Sequence, residues 1–281
     1  MTALDFSPRT RFAGSPARVL LFDLDETLIL DEAATRSALE VILAPVVGRF
    51  GLGIDPVAAS LRRHAEQLWR SASTFDYCFR IGISASEGFW ARFEGDTTDL
   101  TALRHWAPEY RRRVWSHALR EHGISSEPLA EELAEAFFQE RRGQQQLFPE
   151  TLAVLAELRP GRKFGMITNG APDLQREKIA ALGLEPLFDH VMVSGEFGIG
   201  KPDPAIFRHV LHVLHADPEE AVMVGDKLER DIAGARAAGI PSVWINPTGA
   251  ANTTPFVPDA EVRDLTGLSR LLNRREVGVP A

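Results

Sequence analysis

The sequence predicts an α/β fold, a doubly wound parallel sheet interrupted by an inserted all-α domain. Three observations predict it. From Thr151 onward, short apolar runs alternate with amphipathic helical stretches. A further apolar run stands at residues 18–22, near the other end of the chain. The stretch between them is almost devoid of β-branched runs and carries helical periodicity.

The strands are expected at 18–22, 163–168, 190–194, 221–225 and 241–245. Helices are expected between them at 173–182, 204–215 and 229–238, with Gly183 and Gly239 as C-terminal stops. Such βα alternation implies parallel strands with helices on both faces. In the insertion, helical patterns run over 33–50, 57–71, 102–120 and 127–142. The expected organisation is therefore a discontinuous α/β core from 1–30 and 148–281, with a helical domain from 31–147. The tail 270–281 reads as a helix end that frays.

Composition narrows the function. The 281 residues carry 31 basic and 39 acidic side chains, a net charge of −8. That balance argues against nucleic acid or an anionic membrane as partner and favours a small soluble substrate. The single cysteine, Cys78, offers neither a disulfide nor a cysteine-pair metal site. The first 18 residues lack the apolar stretch of a signal peptide, and no segment approaches the ~20 apolar residues of a membrane span. A cytoplasmic protein, monomeric or homodimeric, is the expectation.

Ligands of open parallel sheets bind beyond the carboxyl ends of the strands, so polar residues at strand exits are site candidates. The first strand runs into Asp23 and Asp25, the second into Thr168, Asn169 and Gly170. The third ends in Ser194-Gly195-Glu196, the fourth in Gly225-Asp226 and the fifth in Asn246-Pro247.

Four stretches in order, FDLDETL at 22–28, MITNG at 166–170, GKPDPAIF at 200–207 and VGDKLERD at 224–231, resemble the motifs of the haloacid dehalogenase (HAD) superfamily of phosphohydrolases. The resemblance implies a Rossmann-like core, with residues 31–147 as the family's helical cap. The stretches TNGAPDLQREKI at 168–179 and 224–246 look like the group containing N-acylneuraminate-9-phosphatases, pyrimidine nucleotidases and flavin mononucleotide phosphatases. That likeness does not extend to the insertion, where substrate choice resides, so the metabolite stays open.

By resemblance, Asp23 is the nucleophile that forms an aspartyl-phosphate, and Asp25 protonates the leaving oxygen and then activates water. Two carboxylates about 4 Å apart repel by about 4 kcal/mol at an effective dielectric near 20, so a counter-ion is required. Mg²⁺ suits an all-oxygen set. The resemblance implies side-chain oxygens from Asp23 and Asp226, the backbone carbonyl of Asp25, and Asp231 supporting from behind. Thr168 and Asn169 are expected to hydrogen-bond the phosphoryl oxygens, with Gly170 allowing close backbone approach. Lys201 is expected to offset charge on nucleophile and phosphate, presented by a loop that Pro202 and Pro204 restrict. Glu26 stands where many relatives have glycine.

Other readings share this core. A 2-haloacid dehalogenase uses an Asp nucleophile but needs neither metal nor a second Asp as proton donor, which Asp25 and Asp226 argue against. A phosphomutase returns the phosphoryl group to a sugar. A signalling module would keep Asp23 phosphorylated, which an adjacent general base opposes. In the insertion, Trp69, Phe75, Tyr77, Trp90, Phe93, Trp106, Tyr110 and Trp115 are expected to form its own core, with one or two lining the pocket. Arg111, Arg112 and Arg113, and likewise Gln175, Arg176 and Lys178, read as solvated helix faces. His64, His105, His117 and His122 show no metal-ligand spacing.

Overall fold

A computed structural model describes residues 17–273; the expected frayed end at 274–281 lies outside the described residues. Six parallel strands form one sheet: β1 (Val19–Phe22), β2 (Lys163–Thr168), β3 (His190–Val193), β4 (Ala221–Gly225), β5 (Ser242–Ile245) and β6 (Ala260–Val262). Their spatial order is β3-β2-β1-β4-β5-β6. The order reverses between β1 and β4, the switch point at which such sheets bind ligands. Register aligns the exits: Phe22 lies opposite Met166 on one side and Val224 on the other. Asp23, Thr168 and Asp226 therefore emerge side by side.

After β1 come α1 (Asp31–Phe50), α2 (Ile54–Trp69), α3 (Phe75–Ile81), α4 (Thr98–Glu121) and α5 (Glu127–Glu140). The chain then returns through α6 (Thr151–Leu158), α7 (Pro172–Ala181), α8 (Ser194–Phe197), α9 (Pro204–Leu214), α10 (Ala233–Ala238) and α11 (Leu265–Leu272). Period-two alternation divides the strand side chains between two cores. Leu20, Phe22, Met166 and Val224 pack under α6, α7 and α11, while Leu21, Ile167 and Met223 pack under α9 and α10. Full burial of a side chain such as Phe22 stabilises by about 2–3 kcal/mol.

The insertion has a third core, and its aromatic residues build it as expected. Trp90, Phe93, Tyr110 and Trp115 are all buried. Ala171 and Leu174 of α7 join the same cluster, so the insertion's apolar core continues onto the sheet's own helix. Polar caps start the longer helices where the side-chain oxygen of a β-region residue accepts a hydrogen bond: Thr97 from Leu100 N–H before α4, Ser126 from Leu129 N–H before α5, and Asp203 from Ala205 N–H before α9. Gly239, at φ +82°, ends α10 as expected.

Elements α3, α6, α8 and β6 go beyond the sequence expectation, and the helix whose end was expected from residue 270 is α11, which begins at Leu265. The expected helix 229–238 opens as a π-helical turn at Leu228–Ile232 before α10 begins, a distortion that proteins often place at functional sites. Arg111 departs from a solvated face: Nε donates to Gly88 O at 2.9 Å, another N–H to Ala91 O, and the guanidinium lies 4.4 Å from the Phe138 ring. It ties α4 to the loop before it, whereas Arg113 is exposed. Among the described residues no single helix is long and apolar enough to cross a membrane.

Candidate active site

β1 ends in a tight turn that holds both expected carboxylates. Leu28 N–H and Ile29 N–H return to Leu24 O, and Glu26 takes a φ of +59°, the left-handed region that glycine adopts freely. Glu26 secures itself there by accepting from Glu32 N–H at 2.6 Å. Asp23 and Asp25 then line a cavity of about 490 Å³ shared by the sheet and the insertion.

Lys201 comes from the loop before α9. Its Nζ lies 2.5 Å from Asp23 Oδ1 and 2.7 Å from Asp231 Oδ1, with 2 % of the residue exposed. Burial opposes the ammonium charge, but Asp23 and Asp231 hold it above the ordinary lysine range. Asp23 is itself pushed up by burial, against the pull of Lys201. Thr27 Oγ1 donates to the other Asp23 oxygen at 3.3 Å.

Asp226 is pushed up to about 8 by burial and by the charges of Asp23 and Asp231. Its Oδ2 pairs with Lys227 at 2.6 Å, but its Oδ1 is buried without a hydrogen-bond partner. Oxygens of Asp23, Asp226 and Asp231 lie within 4.8 Å of one another. Asp231 spends Oδ1 on Lys201, and its Oδ2 accepts from Lys227 N–H at 2.9 Å. A buried orphan oxygen amid three carboxylates fits a hard divalent cation, whose charge would relieve their repulsion.

The phosphate candidates divide. Thr168 Oγ1 is buried and unpartnered in the cavity wall. Asn169 also faces the cavity, but its Oδ1 and one amide N–H are committed to the backbone of Lys201. Gly170 stands behind the wall and donates its N–H to Ser194 Oγ at 2.9 Å. A Cβ on Gly170 would lie 2.4 Å from Glu87 Oε1 and 2.5 Å from Gln175 Nε2, so crowding from these side chains imposes the glycine there.

Two residues contradict the solvated-face expectation for α7. Gln175 and Lys178 are buried to 0 % and 1 % exposure. Gln175 Nε2 donates to Asp25 Oδ2 at 3.2 Å, and Lys178 Nζ lies 2.8 Å from Asp25 Oδ1. Their three-residue spacing on one helix face was the available signal. Arg176, between them, faces outward to Glu185 and Glu196 as expected. Asp25 is pushed up by burial, with Lys178 opposing. Glu87 of the insertion, also absent from the expected set, accepts from Ala171 N–H at 3.0 Å, and burial pushes its carboxyl up to about 7. The insertion closes the cavity with Leu61, Phe89, Trp115 and Phe137, beside Arg62 and Glu66.

A family model described as haloacid dehalogenase-like hydrolase matches residues 17–239, more than half of the sequence. The chain belongs to this family. Among curated HAD-like relatives, a phosphoserine phosphatase of Thermus thermophilus is 44% identical over 249 residues, covering 88% of this chain and 96% of that protein. The human N-acylneuraminate-9-phosphatase is 31% identical, covering 84% and 85%. A solved HAD-hydrolase structure, YfnB of Bacillus subtilis bound to magnesium, superposes with a TM-score of 0.65 at 26% identity, covering 92% of this chain and 99% of that one.

Proposed function

We propose that this HAD-like phosphatase is a magnesium-dependent phosphomonoesterase that hydrolyses a small phosphorylated metabolite through an aspartyl-phosphate on Asp23. The observation that carries the reading is the cluster of Asp23, Lys201, Asp226 and Asp231 at the sheet's switch point, with Asp25 facing the same cavity. Asp23, Asp226 and the Asp25 carbonyl are the residues that hold Mg²⁺ in this reading, and Asp231 orients them. When bound, Mg²⁺ supplies the positive charge that lets a carboxylate approach a phosphate dianion.

The protein's own residues do the rest. Lys201 holds Asp23 by Oδ1, and Oδ2, oriented by the Thr27 hydroxyl, attacks phosphorus in line. Thr168 donates its free hydroxyl to a phosphoryl oxygen. Asp25 gives a proton to the departing oxygen as the phosphorus–oxygen ester bond breaks. Asp25 then takes a proton from water, which attacks the phosphorus and releases inorganic phosphate and Asp23. Residues 31–147 act as the cap domain, and its aromatic wall excludes bulk water from attack.

The relatives named for phosphoserine and N-acylneuraminate 9-phosphate, with a cavity of about 490 Å³, support a metabolite-sized substrate. Phosphate release from a panel tests this: phosphoserine, sialic acid 9-phosphate, sugar phosphates, nucleotides and an aryl phosphate, each with Mg²⁺ and with chelator. Chelator-sensitive release led by one compound is the expected result. Release that chelator leaves unchanged contradicts the metal requirement, and no release contradicts the reaction.

A further inference from the structure

The charged residues around Asp25 form a chain, with Lys178 and Arg141 buried and Asp25 and Asp31 partly so, that the reaction above does not use. Lys178 Nζ lies 2.8 Å from Asp25 Oδ1 and 2.7 Å from Asp31 Oδ1. Asp31 is the first residue of α1, and its Oδ1 is also 2.6 Å from Arg141 Nη2. Arg141 follows the end of α5, is fully buried, and donates to Thr35 Oγ1 at 3.0 Å. The Trp90 ring lies 4.4 Å from the Arg141 guanidinium and 5.4 Å from Lys178 Nζ. One ammonium on a sheet helix thus bridges the loop bearing Asp25 and the place where the chain enters and leaves the insertion.

Burying a lysine is costly, and two carboxylates with a tryptophan face are a large investment for a purely structural pin. Both oxygens of Asp25 are held, one by Lys178 and one by Gln175. The direction of its remaining lone pairs is thereby fixed, which is what delivering a proton to one substrate oxygen demands. We propose that Lys178 is a positioning residue for Asp25 and that, through Asp31, it ties the aim of that carboxyl to the seating of the insertion. This rests on the phosphomonoesterase reading and adds a residue to it.

A positioning role for the proton donor has a signature that lost packing lacks. An alkoxide needs a proton as it leaves, whereas 2,4-dinitrophenolate departs as the anion. The parameter kcat/KM reports only steps up to phosphorylation of Asp23, so it isolates this transfer. In the full-length protein with Mg²⁺, Lys178→Met is expected to lower kcat/KM by about 100-fold for the best alkyl phosphate, and by less than about threefold for 2,4-dinitrophenyl phosphate. Lys178→Arg is expected to recover part of the alkyl rate.

Asp31→Asn keeps the Asp25 pair but loosens the tie to the insertion, and should give the same selective loss to a smaller degree. It also carries the test if Lys178→Met does not fold. Equal losses on both substrates, or none on either, overturn the proposal. A wild-type protein that hydrolyses neither compound overturns the phosphatase reading itself, and with it this extension; that result is visible before any variant is made.

Discussion

The side chain of Asn169 clamps the backbone of Lys201 at two points, accepting from its N–H at 2.8 Å and donating to its carbonyl at 2.9 Å. The clamp joins the exit of β2 to the loop carrying the lysine, and so fixes where Nζ meets Asp23. Asn169→Ala is expected to cost about 1–3 kcal/mol of stability by orphaning the buried Lys201 N–H, while the Lys201 carbonyl keeps its bond from Arg230. It should also lower kcat/KM by about 100-fold as Lys201 shifts. Urea unfolding and steady-state kinetics on the same preparation check both. Stability loss with unchanged kinetics would separate the clamp from the site.

The insertion seats on the sheet through backbone. Gly200 N–H donates to Arg80 O at 3.0 Å, and Ser194 Oγ donates to Ile81 O at 2.5 Å. A Cβ on Gly200 would lie 2.7 Å from the Ile81 carbonyl oxygen. Gly200→Ala should therefore wedge the two apart, costing about 1–3 kcal/mol in thermal or urea unfolding. Small-angle scattering of the metal-free protein should show a larger radius of gyration. An unchanged radius and stability would mean that the seam yields without opening.

Glu87 makes stability depend on pH. Its carboxyl titrates near 7 in the folded protein, against an ordinary value of 4.5. Between those values the folded state binds more protons than the unfolded one, so stability falls as pH rises from about 4.5 to about 7 and then levels. Glu87→Gln removes this slope. The variant should gain on the wild type by up to about 3 kcal/mol between pH 5 and pH 8 in urea unfolding. A difference that stays constant with pH would contradict the assignment.

Much of this site is legible in the sequence because its signals are local. Asp23, Thr168 and Asp226 each follow a short apolar run, and the parallel register brings the three exits together. What stays hidden depends on distant partners. Lys178 and Asp25 are 153 positions apart, so nothing near Lys178 shows that its helix face is covered. Arg111 is likewise held by carbonyls more than one turn away in sequence, and its neighbours Arg112 and Arg113 present an ordinary basic face. β6 has only three residues, none fully buried, and exists by pairing with β5. A strand that short carries no alternation to detect.

Asp226 offers its orphaned Oδ1 beside Asp23 and Asp231, so its removal should be felt first as a metal requirement. Asp226→Ala is expected to raise the Mg²⁺ concentration for half-maximal activity by at least about tenfold, with the fold retained. An unchanged Mg²⁺ titration would remove Asp226 from the metal set.

In the proposed reaction phosphorus passes through Asp23. Acid quenching of the protein during turnover of a ³²P-labelled phosphomonoester tests it most directly. Covalently retained, alkali-labile label is expected on the wild type and none on folded Asp23→Asn, together with loss of phosphate release. Phosphate release by folded Asp23→Asn at the wild-type rate, with no label trapped on either protein, would contradict it.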